Sequence, residues 1–166
     1  MRILLILICL YSYYSQCQNV AYVDSRYILD NIPEFNIAQD ELNNLSLEWQ
    51  EEIDLLKAEL DNKYRNYEAE KYLLPENKKK ERESIIIKKE QEIKKLTKTR
   101  FGPDGDLYQK QQELIQPIQD LIYGAVKDFS DEAKYDIIFD KSSELIMLFA
   151  NPELDKSQQI LEKLGY

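Results

Sequence analysis

The sequence predicts an α+β fold that is mostly helical: a long antiparallel helical hairpin on a small β-containing body. Three observations predict it. Residues 36–73 contain no Gly or Pro and carry apolar residues at helical spacing. A second helical stretch follows a four-residue turn and carries the opposite charge. Short β-branched and aromatic runs, at residues 19–23 and 135–140, bracket the pair.

The elements follow in chain order. Met1-Arg2 precedes nine apolar residues, 3–11, too few to cross a bilayer, which needs about 20. Ser15-Gln16-Cys17 then offers small residues where a signal peptidase reads, so residues 1–17 are expected to be a signal peptide. A lipoprotein reading would make Cys17 the acylated residue, but the bulky Gln16 before it argues against that. Cleavage after Cys17 removes both cysteines, so stability must come from packing and oligomerisation. Residues 18–166 are expected to form a single domain, with 18–35 and 106–166 as body and 36–105 as arm.

Residues 19–23 read as a short strand. Ser25 is expected to cap a short helix, 26–31, that stops before Pro33. Asn36 to Gln39 resembles a capping box opening the first arm. Its apolar stripe is Leu42, Leu45, Trp49, Ile53, Leu56, Leu60, Tyr64 and Tyr67, an eleven-residue repeat rather than a strict heptad. So narrow a stripe cannot fill a globular core but suits a two-helix hairpin about 55 Å long.

Leu74-Pro75-Glu76-Asn77 is the turn. Pro75 suits the start of the second helix, which runs to about Arg100. A turn centred between residues 74 and 75 brings Trp49 near Arg100 or Phe101. Phe101-Gly102-Pro103-Asp104-Gly105 must interrupt or kink the helix. Helical spacing resumes from Leu107 to about Asp131. Residues 135–140 and 145–150 are expected to form a β-hairpin, and Asp155 to cap a last helix ending at Gly165.

Charge supports the hairpin. Residues 36–73 hold 10 acidic and 4 basic residues, and residues 78–100 hold 10 basic and 4 acidic. The 166-residue chain carries 22 Lys+Arg against 31 Asp+Glu, a net charge of -9, which argues against a nucleic-acid partner. It has no His, so His-based catalysis and His metal sites are excluded. Four Gly leave no phosphate-cradling loop. Asp104 and Asp106 around Gly105 lack the further ligands of a calcium loop. No enzyme activity, metal or cofactor is expected.

In this order of elements the chain resembles the Skp/OmpH family of periplasmic chaperones. The resemblance rests on Val20-Ala21-Tyr22-Val23-Asp24 and Tyr135-Asp136-Ile137-Ile138-Phe139-Asp140. Residues 101–107, Gln116-Pro117-Ile118-Gln119 and the ending from Asn151-Pro152 to Tyr166 add to it. It implies a periplasmic homotrimer whose strands build a shared core and whose arms enclose unfolded outer-membrane proteins without ATP. Val20, Tyr22, Ile137, Phe139 and Ile146 are then candidates for the oligomeric core. Tyr64, Tyr67, Tyr72, Leu73 and Leu74, with Lys78, Lys79 and Lys80, are candidates for client contact near the arm tip. One departure is charge. The chain without residues 1–17 has 21 basic and 31 acidic residues, which limits membrane contact to a weak peripheral one. The alternative function is a structural coiled-coil spacer or scaffold of the cell envelope.

Overall fold

The computed structural model describes residues 18–143 and 147–166. The expected signal peptide, Cys9, Cys17 and the candidate Ile146 lie outside the described residues. The elements are β1 (Val20–Val23), α1 (Ser25–Asp30), α2 (Pro33–Glu70), α3 (Glu76–Phe101), α4 (Asp106–Ala133), β2 (Ile137–Asp140), a 3₁₀ turn (Pro152–Leu154) and α5 (Ser157–Leu164). Two compact units result. One is Pro33–Gln119; the other joins the described residues up to Ile32 with Asp120–Tyr166.

The larger unit is the hairpin. α1 stops before Pro33 as expected, and Pro33 itself opens α2. A first-turn N–H has no partner inside the helix, so proline loses nothing there and its fixed φ suits the start. The expected cap at Asn36 therefore falls inside the helix. Within the stripe Leu42, Ile53 and Tyr67 are buried; Leu45, Trp49, Leu56 and Leu60 are half-buried, and Tyr64 is exposed. Helix α3 returns along α2, with Ile93 buried between them. Glu70–Arg82, Glu59–Lys89 and Glu52–Arg100 tie the acidic helix to the basic one. Exposed pairs of this kind contribute only about 0.2–1 kcal/mol each, so they set register more than stability. Ala38 and Leu42 of α2 pack with Ile115 of α4, and Phe35, Leu107, Leu114 and Ile118 surround them. Pro117 lies inside α4 without ending it.

The smaller unit holds a two-stranded sheet. Here the structure corrects the expected β-hairpin. β2 pairs in parallel with β1, Val20 opposite Ile137 and Tyr22 opposite Phe139, and residues 147–150 are not strand. Side chains fix this pairing at both ends. The Asp136 carboxylate accepts the Asn19 N–H at 2.9 Å. The Asp140 carboxylate accepts the Ser25 N–H at 3.1 Å and its hydroxyl at 2.7 Å. Ser25 is thereby used on β2, and Asp24 caps α1 by accepting the Tyr27 N–H. The other edge of β1 carries a bridge from Tyr22 to Asp155. Ile28, Ile160 and Leu161 are buried, and α1 packs on α5. Asp155 accepts the N–H and hydroxyl of Ser157, and Gly165 at φ 94° ends α5 in a left-handed turn.

Candidate functional site

Two surfaces collect the candidate residues: the arm tip and the sheet. At the tip, α2 ends at Glu70 and α3 begins after Pro75. The Leu73 N–H bonds to the Glu70 carbonyl, and the N–H groups of Lys78 and Lys79 bond to the Pro75 carbonyl. This tight turn leaves little room for Tyr72 and Leu73 to fold inward. They stand 84% and 87% exposed, with Leu74 half-buried behind them. Tyr64 is exposed as well.

Tyr67 takes the opposite role. It is buried in the hairpin, and its hydroxyl donates to Glu83 of α3. That bond to a carboxylate, followed by burial, raises the Tyr67 pKa. Of the three lysines, Lys78 pairs with Glu81 at 2.7 Å and Lys79 with Glu76 at 2.7 Å. The hydrogen bond from Lys78 lowers the Glu81 pKa. Lys80 has no ion pair among the described residues. The tip is thus an apolar projection whose neighbouring charges at Lys78 and Lys79 are paired.

On the sheet, Tyr22 is buried and Val20 half-buried. Ile137 and Phe139 remain 43% and 39% exposed. The parallel register puts Val20, Tyr22, Ile137 and Phe139 on one face. Two four-residue strands are too few to close a stable sheet, and the outer edge of β2 has no strand partner among the described residues. Leu148 and Phe149, 95% and 84% exposed, are not among the candidates. The apolar run around them has the pattern of a strand, which hides their exposure.

The base of the arm carries a third constellation. Arg100 lies over the Trp49 ring at 4.6 Å, and Trp49 meets Phe101 edge-on at 6.3 Å. Arg100 also bonds Asp106 at 2.6 Å and approaches Glu52 at 3.9 Å. The expected neighbourhood of Trp49 is present, and Glu52 and Asp106 add two carboxylates around Arg100 that the helical spacing does not reveal. Asp106 is engaged here, not in a cation loop. Among the described residues no group of three or more His, Cys, Asp or Glu is arranged to hold a metal, and no helix is long and apolar enough to cross a membrane.

Long helices with a small two-strand sheet define the class: an α+β helical-hairpin protein. Comparison places it further. The model of the OmpH-like outer membrane protein family matches residues 19–164, and the chain belongs to that family. Its fold is similar to the crystal structure of a candidate outer membrane chaperone (OmpH-like) from Caulobacter crescentus CB15, with a TM-score of 0.69. The two chains are 14% identical over 89% of this one and 84% of that one, so the likeness is one of fold. No curated protein matches the chain.

Proposed function

We propose that the protein is an ATP-independent holdase chaperone of the periplasm that binds unfolded outer-membrane proteins and keeps them from aggregating. Family membership supports the chaperone role. The observation that carries the reading is the arm tip, where Tyr72 and Leu73 are held almost fully exposed on a packed helical hairpin. Apolar side chains so placed meet extended apolar segments without a fixed pocket. Many weak contacts of this kind delay aggregation and still permit release. Exposed Ile137 and Phe139 beside an open strand edge support assembly through the sheet, in a homotrimer. Residues 1–17 would be removed on export, leaving 18–166 with its body and arm.

The test is dilution of a denatured β-barrel membrane protein with and without this protein. Suppressed light scattering is expected; unchanged scattering at molar excess would remove the reading. Sedimentation should give three times the chain mass.

A spacer reading has its own observation. The hairpin is tied along its length by Trp49–Phe101 at one end and Tyr67–Glu83 near the other. A spacer would leave scattering unchanged and show uniform amide protection along both helices. A holdase would show suppression whatever the protection pattern.

A further inference from the structure

Among the described residues, the anchoring of the chain into the sheet begins at Asn19. The Asn19 N–H donates to the Asp136 carboxylate at 2.9 Å, and its side-chain amide donates to the Lys134 carbonyl at 3.2 Å. The Asn19 carbonyl accepts the N–H groups of Asp136 and Ile137 at 2.8 and 3.4 Å. These bonds lead into the β1–β2 pairing, which opens at Val20. Gln18, the residue before, is exposed, and its side chain has no hydrogen-bond partner among the described residues. The peptide bond between residues 17 and 18 is the one a signal peptidase is expected to cut. That cut falls one residue outside the first anchored residue, and it makes Gln18 the N-terminal residue.

At an N-terminus, glutamine has a chemistry that it lacks inside a chain. Its α-nitrogen is an amine, and its own side-chain carbonyl carbon lies within reach of that amine in a five-membered ring. Attack of the neutral amine forms a bond from the α-nitrogen to Cδ. The bond from Cδ to Nε2 breaks, the departing nitrogen takes the proton that the α-nitrogen gives up, and ammonia leaves. Nothing is oxidised or reduced, and no co-reactant is consumed. An α-amino group titrates at about 7.7–8.0, so on the order of a tenth of it is neutral at pH 7. Both reacting groups belong to one residue, so their encounter costs little entropy. The Gln18 side chain turns to the amine without breaking a bond or leaving a packed site, because it has neither among the described residues.

We infer that the mature N-terminus is a modification site, at which Gln18 closes to a pyroglutamyl lactam. The inference rests on the reading that residues 1–17 are removed on export. The lactam has no primary amine and no charge, as with other modifications that neutralise a terminus. Exopeptidases that grip a terminal ammonium have nothing to hold. Chain ends are where proteolysis concentrates. Trimming through Asn19 would remove its bonds to Lys134, Asp136 and Ile137. The ring therefore guards the start of the sheet.

The test expresses the full-length chain in an exporting bacterium and reads the N-terminal peptide of the freshly isolated protein by mass spectrometry. The expected peptide begins at residue 18, is lighter by one ammonia than the unmodified sequence, and does not react with an amine-specific label. Gln18→Ala should be cut at the same bond and take the label. An aminopeptidase should shorten Gln18→Ala and leave the parent intact. A peptide that begins at Gln18 and takes the label would overturn the inference and leave the cleavage reading standing. So would a lactam that forms only on storage. A peptide that begins elsewhere, or at an acylated Cys17, would overturn the cleavage reading and the inference with it. Equal trimming of parent and variant, or of neither, would overturn the guarding role.

Discussion

Single residues divide sharply between packing and surface. Ile53 is 1% exposed and Leu55 is 69% exposed, two positions apart on one helix. Ile53→Ala should cost about 2–5 kcal/mol in denaturant unfolding, because it leaves a cavity between the arms. Leu55→Ala should stay within about 0.5 kcal/mol of the parent in the same experiment. Asp140 is the titrating residue that ties β2 to the start of α1. Burial works to raise its pKa, but hydrogen bonds from the side chains and N–H groups of Ser25 and Ser142 outweigh it and hold the value below the ordinary one. A lowered folded pKa stabilises the native state above the unfolded pKa, about 3.9, and that stability is lost as pH falls through the folded value. Acid unfolding followed by circular dichroism should therefore show a steeper loss below about pH 4 than Asp140→Asn does. Equal slopes would mean the carboxylate is not held by these partners.

Among elements, the hairpin was legible because its signals are local and repeated. The stripe from Leu42 to Tyr67, the proline at the turn and the opposite charge of consecutive helices all point one way. Trp49 accordingly lies against Arg100 and Phe101. The start of α2 was misread at Pro33, since the same residue that ends one helix also opens the next. The strand pairing was not legible at all. Four residues carry too little pattern to choose a partner, and Asn19, Ser25, Asp136 and Asp140 decide it across the sequence. The client-contact candidates were read from composition near the tip. Sequence alone could not separate Tyr67, facing Glu83, from Tyr72, facing water. The joint between α3 and α4 offers a clean test. A Cβ on Gly105 would meet the carbonyl oxygens of Thr99 and Arg100 at 2.6 and 2.9 Å. Backbone oxygens cannot swing aside, so Gly105→Ala should lower the melting temperature. A Cβ on Gly124 meets nothing within 4 Å, so Gly124→Ala, inside α4, should raise stability by about 0.5–1 kcal/mol.

At the scale of the molecule, large apolar side chains stand exposed at the arm tip and on the sheet. Tyr72→Ser with Leu73→Ser should weaken suppression of client aggregation several-fold with little change in melting temperature, because neither side chain is packed. Equal suppression by this variant would move client contact away from the tip. The parallel pairing of β1 with β2 has a consequence for the order of events. Its hydrogen bonds join residues 117 positions apart, whereas Tyr67 and Glu83 are separated by 16. Closing so long a loop is slow, whereas the arm closes over a short one. The arm is therefore expected to form before β1 finds its partner strand. Until then a folding chain would expose a finished arm beside an unpaired strand.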